Sequence, residues 1–377
     1  MDNRISRIFS SLPKEIKYIF GLFLVSRLAL IIIGVAARAY FIRGAFPWDY
    51  SRFSWLAIWG VWDSGWYLRI AQYGYSSALS NLPATFGQAS YAFFPLYPLL
   101  MHLIGVIVGN YFIAGLIISN VCLLAAAWYF YKLAALEEGA DVARRSVKYL
   151  FLFPVAFIFS GVFTESLFLL LAVAGFYYAR RHKWVLAGCL GFFAALTRPL
   201  GVLLVVPMVI EFYLQHGFSI SAWLKRSWTI FLPVLGTIVF GWYCKMLTGN
   251  FFGFLHTQTA WHRQISNPLR LVYGALIARD PYNIFAAGFA LVCLLLLVIY
   301  YRQIRFSYWV FAVMVILLPM FSGLESLPRY TLSAFPLFLV FAKMTVRTKA
   351  DKLLTVLLIL SQGLFMALWT LGLNYIK

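Results

Sequence analysis

A chain of 377 residues that is 63% apolar and 11% charged, with a mean hydropathy of +0.84, has too little polar surface to cover a soluble fold. The formal charge of +19 comes from 31 Lys and Arg against 12 Asp and Glu, and the basic residues fall in short clusters between apolar runs, a pattern of membrane topology that argues against a nucleic-acid partner. The composition therefore predicts an all-α polytopic membrane protein surrounded by membrane lipids. Its four cysteines, Cys122, Cys189, Cys244 and Cys293, lie inside apolar runs and read as small core residues, with neither a disulfide framework nor a metal-ligand spacing.

In chain order, Arg4, Arg7, Lys14 and Lys17 precede the apolar run Tyr18 to Val35, which is long enough to span and is followed by no small-residue cleavage site. It reads as a retained helix with a cytoplasmic N-terminus. A first outer loop follows at about residues 36–92. Within it, Trp48 to Trp62 has aromatic and aliphatic residues at near-helical spacing, which predicts a short interfacial helix. Phe93 to Val108, with Pro95 and Pro98 at its start, reads as re-entrant on the outer side, because the path from Asp63 outside to Lys132 inside permits one crossing or three.

Five later basic clusters, at Lys132 to Lys148, Arg180 to Lys183, Lys225 and Arg226, Arg302 and Arg305, and Lys343 to Lys352, are predicted to be cytoplasmic. Each apolar stretch between them holds a polar break that turns on the outer side: Phe163 to Ser166, Thr197 to Pro199, a second long loop at about 248–283, and Ser322 to Tyr330. With a last helix from Leu353 to Leu373, the count is about eleven crossings, twelve being the alternative, in one transmembrane domain over residues 1–377. Neither an internal repeat nor a soluble domain is evident. Half-segments such as Tyr149 to Val162 are too short for a full span, so some helices must stop below the outer surface and leave a recess.

Once the cytoplasmic clusters are set aside, Asp63, Arg69, Glu165, Arg198, Glu325 and Arg329 all fall on the outer side, where ionisable groups commonly line a cavity. Asp63, flanked by Trp62 and Trp66, is the candidate general base. Arg69 is either its local ion-pair partner or a substrate ligand. Glu165 either complements a helix dipole with Thr164 as cap, or pairs with Arg198, and Arg329 has Glu325 as a possible structural partner. As the ligand of a leaving phosphate, Arg329 comes first, Arg198 second and Arg69 third, with His262, Arg263 and Arg270 of the long loop in reserve. His102, alone in an apolar stretch, reads as a packing residue.

The run Trp62-Asp63-x-x-Trp66-Tyr67-x-x-Ile70-Ala71-x-x-Gly74-Tyr75, followed by Tyr91-Ala92-Phe93-Phe94-Pro95-Leu96-Tyr97-Pro98-Leu99, resembles the first outer loop of the PIG-V-type mannosyltransferases of the GT-C superfamily. The resemblance continues through Phe163 to Phe168, Leu196 to Gly201 and Arg329 to Leu337, in order along most of the chain. It implies a GT-C-like glycosyltransferase, of the prokaryotic kind, in the cell membrane. Such an enzyme takes a sugar, here mannose, from a polyprenyl- or dolichyl-phosphate donor on the outer face and passes it with inversion to a lipid or glycan hydroxyl. The loop aspartate, by position Asp63, would be the base. Trp66, Tyr67 and Tyr91 of the same blocks become substrate contacts, and no metal or other cofactor is implied. The competing readings are a transporter or flippase of a lipid-linked sugar, and a non-catalytic membrane subunit, which would leave Asp63 unexplained.

Overall fold

The computed structural model describes residues 12–373 except 45, 83, 84, 262, 347 and 349. Arg4, Arg7, His262, Arg347 and Lys349 therefore lie outside the described residues. Among those described, the regular elements are helices: α1 (Lys14–Phe41), α2 (Ser64–Tyr73), α3 (Leu96–Val108), α4 (Tyr111–Glu138), α5 (Ala140–Leu152), α6 (Glu165–Arg180), α7 (Trp184–Ala195), α8 (Val205–His216), α9 (Leu232–Thr248), α10 (Pro268–Ile277), α11 (Pro281–Ile299), α12 (Phe306–Met320), α13 (Leu327–Thr331), α14 (Pro336–Thr345) and α15 (Ala350–Thr370), with a short helix at Ile220–Arg226, single turns and 3-10 segments between them.

Among the described residues six helical stretches are long and apolar enough to cross a membrane, including α1, α4, α11 and α15. Their leucine- and isoleucine-rich faces stay exposed, as a lipid solvent requires. The first helix continues to Phe41, so the first loop begins at Ile42 and not near residue 36. At 13 residues, α3 rises about 20 Å, short of a full span. It turns sharply into α4 through Gly109, whose φ of +74° is the left-handed conformation glycine tolerates, and Asn110, whose Oδ1 caps the Ile113 amide at 3.0 Å.

The interfacial helix predicted over Trp48 to Trp62 is not formed: only Ser54–Ala57 makes a helical turn. Ile58, Trp59 and Val61 point into the core, so the aliphatic spacing reflects inward packing of an irregular loop. One cysteine also departs from expectation. Cys189 is exposed on α7, whereas Cys122, Cys244 and Cys293 are buried.

The core surrounds α6 and the segment before it. From Phe153 to Phe163 the chain leaves the α-helical path, yet every residue is buried. Residues 321–335 do the same between α12 and α14, with α13 as their only helical turn and most side chains inside. Irregular backbone at this depth is tolerated only where protein or a wet cavity surrounds it. The first segment leads into Glu165, the first residue of α6, and the second carries Arg329.

Candidate active site

Asp63 stands at the N-terminus of α2, where a carboxylate commonly caps the first amides, but its side chain makes no capping bond. Its oxygen goes to Arg329 instead: Nη1 of Arg329 donates to Asp63 Oδ2 at 2.6 Å. The loop is held for this by Ser64 Oγ, which donates to the Val162 carbonyl at 3.1 Å, and by the Val162 amide, which donates to the Trp59 carbonyl at 3.0 Å. Asp63 is thus fastened against the strand of chain that opens α6.

Glu165, fully buried at the first turn of α6, accepts on one oxygen, Oε1, from both Arg198 Nη1 (2.5 Å) and Arg329 Nε. Thr164 makes no capping bond, so Glu165 serves the two arginines; dipole balance alone does not explain it. Arg198 reaches it because Gly201 lies against the end of α7, where a Cβ would stand 2.3 Å from the Ala194 backbone. The extended backbone of Arg198, φ −153° and ψ 151°, is the conformation favoured before Pro199. Arg329 also rests on the Phe163 ring at 4.6 Å. Burial opposes its charge, and the two carboxylates, Glu165 and Asp63, offset that cost.

Two residues beside this cluster have left-handed backbone without being glycine: Trp62 at φ +45° and Ser326 at φ +63°. Each such residue costs about 1–2 kcal/mol, and strain of this kind gathers at functional sites. The Trp62 ring is wedged against Trp48 and Trp369, which offsets the cost there.

A cavity of about 800 Å³ opens beside Asp63, lined also by Tyr67, Arg198, Trp261, Arg263, Glu325, Arg329 and Tyr330. Arg263 Nη1 donates to Tyr330 Oη at 2.7 Å and Nη2 to Ser326 Oγ at 3.4 Å. Arg198 and Arg263 both lie near the Tyr330 ring, at 5.5 and 5.7 Å from its centroid. Phe252, Leu255, Ile265 and Leu318 line the same cavity while being exposed outward, so its opening is framed by apolar side chains.

Of the outward charges read from the sequence, Asp63, Arg198, Glu325 and Arg329 meet at the cavity, and Glu165 is bonded behind it. Arg69 does not join them: it is exposed and lies 6.0 Å from the Trp66 ring, so its expected ion pair with Asp63 is replaced by Arg329. The carboxylate partners of Arg329 are Asp63 and Glu165, while Glu325, weighed as a possible structural partner, lines the cavity. Trp66 packs on Phe93 and Trp261 with its indole N–H on Gln88, outside the cavity lining. Tyr91 belongs to a separate buried cluster with Phe240, Cys244 and Phe254. His102 donates from Nδ1 to the Ala71 carbonyl, 2.7 Å away, in keeping with a packing role.

A second ionic network was not foreseen. Glu211 of α8 is fully buried and accepts from both Arg305 Nε (2.6 Å) and Nη2 (2.9 Å), Ser307 Oγ (2.7 Å), Gln215 Nε2 (2.6 Å) and Arg180 Nη1 (3.4 Å). Glu137 of α4 holds Arg180 Nε at 2.5 Å and the Tyr308 hydroxyl at 2.8 Å. Arg180 ends the helix that Glu165 begins, so the two networks stand about 22 Å apart at opposite ends of α6. Among the described residues no group of three His, Cys, Asp or Glu side chains is arranged to hold a metal.

No protein-family model matches this chain, and no curated protein matches it in sequence. Among solved structures, ArnT from Cupriavidus metallidurans, crystallised with undecaprenyl phosphate, aligns over 90% of this chain and 62% of its own with a TM-score of 0.56 at 13% identity. The Archaeoglobus fulgidus oligosaccharyltransferase, tethered to an acceptor peptide, aligns over 94% of this chain and 56% of its own with a TM-score of 0.47 at 10% identity. The chain thus spans about three-fifths of the length of these two. The likeness to ArnT is one of fold, and it bears out the all-helical architecture expected from the sequence.

Proposed function

We propose that this protein is an inverting glycosyltransferase that moves a sugar from a polyprenyl-phosphate donor to an acceptor hydroxyl, with Asp63 as the general base. The observation that carries this reading is a carboxylate, Asp63, set in the wall of a cavity whose other groups are arginines, aromatics and an apolar opening. Oδ2 of Asp63 is occupied by Arg329, which leaves Oδ1 for the proton of an acceptor hydroxyl. As that hydroxyl oxygen attacks the anomeric carbon, its proton passes to Asp63 and the bond to the donor phosphate breaks on the opposite face, releasing polyprenyl phosphate.

The leaving phosphate needs a cation. Asp63, Glu165, Arg198 and Arg329 together sum to zero charge, so Arg329 is already committed to two carboxylates. Among the described residues Arg263 donates to neutral oxygens of Tyr330, Ser326 and Gln258, and Arg198 also lies near the Tyr330 ring. These two arginines are the better phosphate seat. The undecaprenyl phosphate bound to ArnT, a protein of like fold, supports a polyprenyl donor, and the apolar residues at the cavity opening suit its tail. The resemblance of the Asp63 block to PIG-V-type enzymes favours mannose as the sugar, the outer face of a cell membrane as the location, and a lipid or glycan as the acceptor.

Transport of a lipid-linked sugar is the less favoured reading. Alternating access would have to open the end of the bundle that Glu211, Glu137, Arg180 and Arg305 tie together across four helices. The deciding experiment incubates purified protein in liposomes with radiolabelled polyprenyl-phosphate mannose and total membrane lipid or glycan acceptors, then identifies the product. Label moved to an acceptor with inverted configuration supports transfer; label that only crosses the bilayer, still on its polyprenyl phosphate, overturns it.

A further inference from the structure

We infer that Glu165 is a positioning residue that couples the donor-phosphate seat to the base, an inference that rests on the transferase reading above. Glu165 is not among the residues lining the cavity, and its side chain is completely buried. It accepts Arg198 and Arg329 on the same oxygen, Oε1, while Oε2 is buried without a partner among the described residues. A carboxylate gains most from two arginines when each takes its own oxygen, so this arrangement leaves one bond unmade. Two guanidiniums on one oxygen also divide a single negative charge, and a change at one is felt by the other.

The two arginines have different second partners. Arg329 passes its share to Asp63 through Nη1, and Arg198 turns toward Tyr330 and the cavity. When a donor phosphate takes up Arg198, the charge of Glu165 falls more fully on Arg329, and the open Oε2 is there to receive it. The hold of Arg329 on Asp63 then loosens, and a carboxylate less tied to a cation is the better proton acceptor. Glu165 thereby makes the base effective when the donor is seated. It does so through Arg329, without touching substrate.

Glu165→Gln tests this, because the amide keeps the shape and lacks the charge. Arg329 then presses its whole charge on Asp63, and Arg198 is released to the phosphate. The expected result is a fall in kcat of about tenfold or more with a donor KM that is unchanged or lower. Arg198→Gln, in contrast, raises the donor KM. A purely structural glutamate would lower the yield of folded protein while leaving kcat of the folded fraction intact. Folded Glu165→Gln with kcat within about threefold of wild type, or a kcat loss matched by a proportionate rise in KM, overturns the coupling. If Glu165→Gln does not fold, Glu165→Asp replaces it: a carboxylate one methylene shorter cannot hold both arginines, and wild-type kcat in that variant also overturns the inference. Should the wild-type protein transfer no sugar at all, the transferase reading fails by itself, and the coupling is judged on undecaprenyl phosphate binding. Affinity equal to or tighter than wild type in Glu165→Gln supports it, and affinity weakened more than about threefold sinks it.

Discussion

Arg329 joins Asp63 to Glu165: its Nη1 is 2.6 Å from Asp63 Oδ2, and its Nε is bonded to Glu165 Oε1. One guanidinium therefore sets the position of the candidate base, and the fork geometry that does this is not available to an ammonium.

Replacing Arg329 by Lys keeps the charge but can satisfy only one of the two carboxylates at a time. Turnover should fall by about 10² and thermal stability should drop, while donor affinity changes little, because this arginine is committed to protein partners. Arg263→Lys should do the reverse, weakening donor binding by about tenfold with the fold intact. Donor titration of both variants, with melting curves in detergent, checks the contrast. If Arg329→Lys loses donor affinity while Arg263→Lys does not, the phosphate is on Arg329.

Asp63→Asn removes the proton acceptor but keeps a hydrogen-bonding oxygen toward Arg329. Turnover should fall by a factor on the order of 10² to 10⁴ with insertion and donor binding nearly unchanged. Retention of more than about a tenth of wild-type turnover would remove Asp63 from the role of base.

The backbone at Ser326 allows a prediction in the opposite direction. At φ +63° a glycine relieves strain of about 1 kcal/mol, and the hydroxyl it removes accepts only a long bond, 3.4 Å, from Arg263. Ser326→Gly should melt slightly higher than wild type and retain activity. A lower melting temperature would mean that the Arg263 contact outweighs the strain.

Topology is open to cysteine labelling. In a background where the exposed Cys189 is replaced by Ala, cysteines introduced at Ser76 and Ser322 should react with an impermeant maleimide on right-side-out cells. One at Arg181, just beyond the far end of α6, should not. Reaction at Arg181 would reverse the faces assigned to the two ionic networks.

How much of this could be read beforehand follows the range of each interaction. Asp63 stood out because a carboxylate between Trp62 and Trp66 has no reason to be there in so apolar a chain, and Arg198 with Glu165 could be weighed as a pair because each interrupts an apolar run. That Arg329 closes on Asp63 could not be read, since 266 residues separate them and no periodicity links their segments. By sequence Arg329 reads first as a phosphate ligand, with its near neighbour Glu325 as a possible structural partner, and Arg69 as either the partner of Asp63 or a substrate ligand. Trp66 and Tyr91 belong to the aromatic block that carries the resemblance, and both pack beside the cavity without lining it. The loop around Ile58 and Val61 imitates a helix in sequence through its density of apolar side chains, but it buries an unbroken run from Ala57 to Val61 instead of one helical face.

The Glu211 network was invisible for a related reason: Arg180 and Arg305 looked fully explained as topological charges, so nothing asked for their partners. Glu211 accepts five hydrogen bonds, has no exposed surface, and draws its donors from α6, α8 and the start of α12. Removing one member of such a buried set leaves the others charged and unpaired, a loss of about 3–5 kcal/mol. Glu211→Ala should therefore be severely destabilised, visible as a large drop in melting temperature or as loss of monodisperse protein. Glu211→Gln should fall between, because its amide oxygen still accepts from one arm of Arg305. The loss should be relieved in part by a second change, Arg305→Met, which removes the stranded charge and keeps an unbranched side chain of similar length. If instead Glu211→Ala is as stable as wild type, the network adds no stability, and its use as an argument against a bundle that opens at this end falls with it.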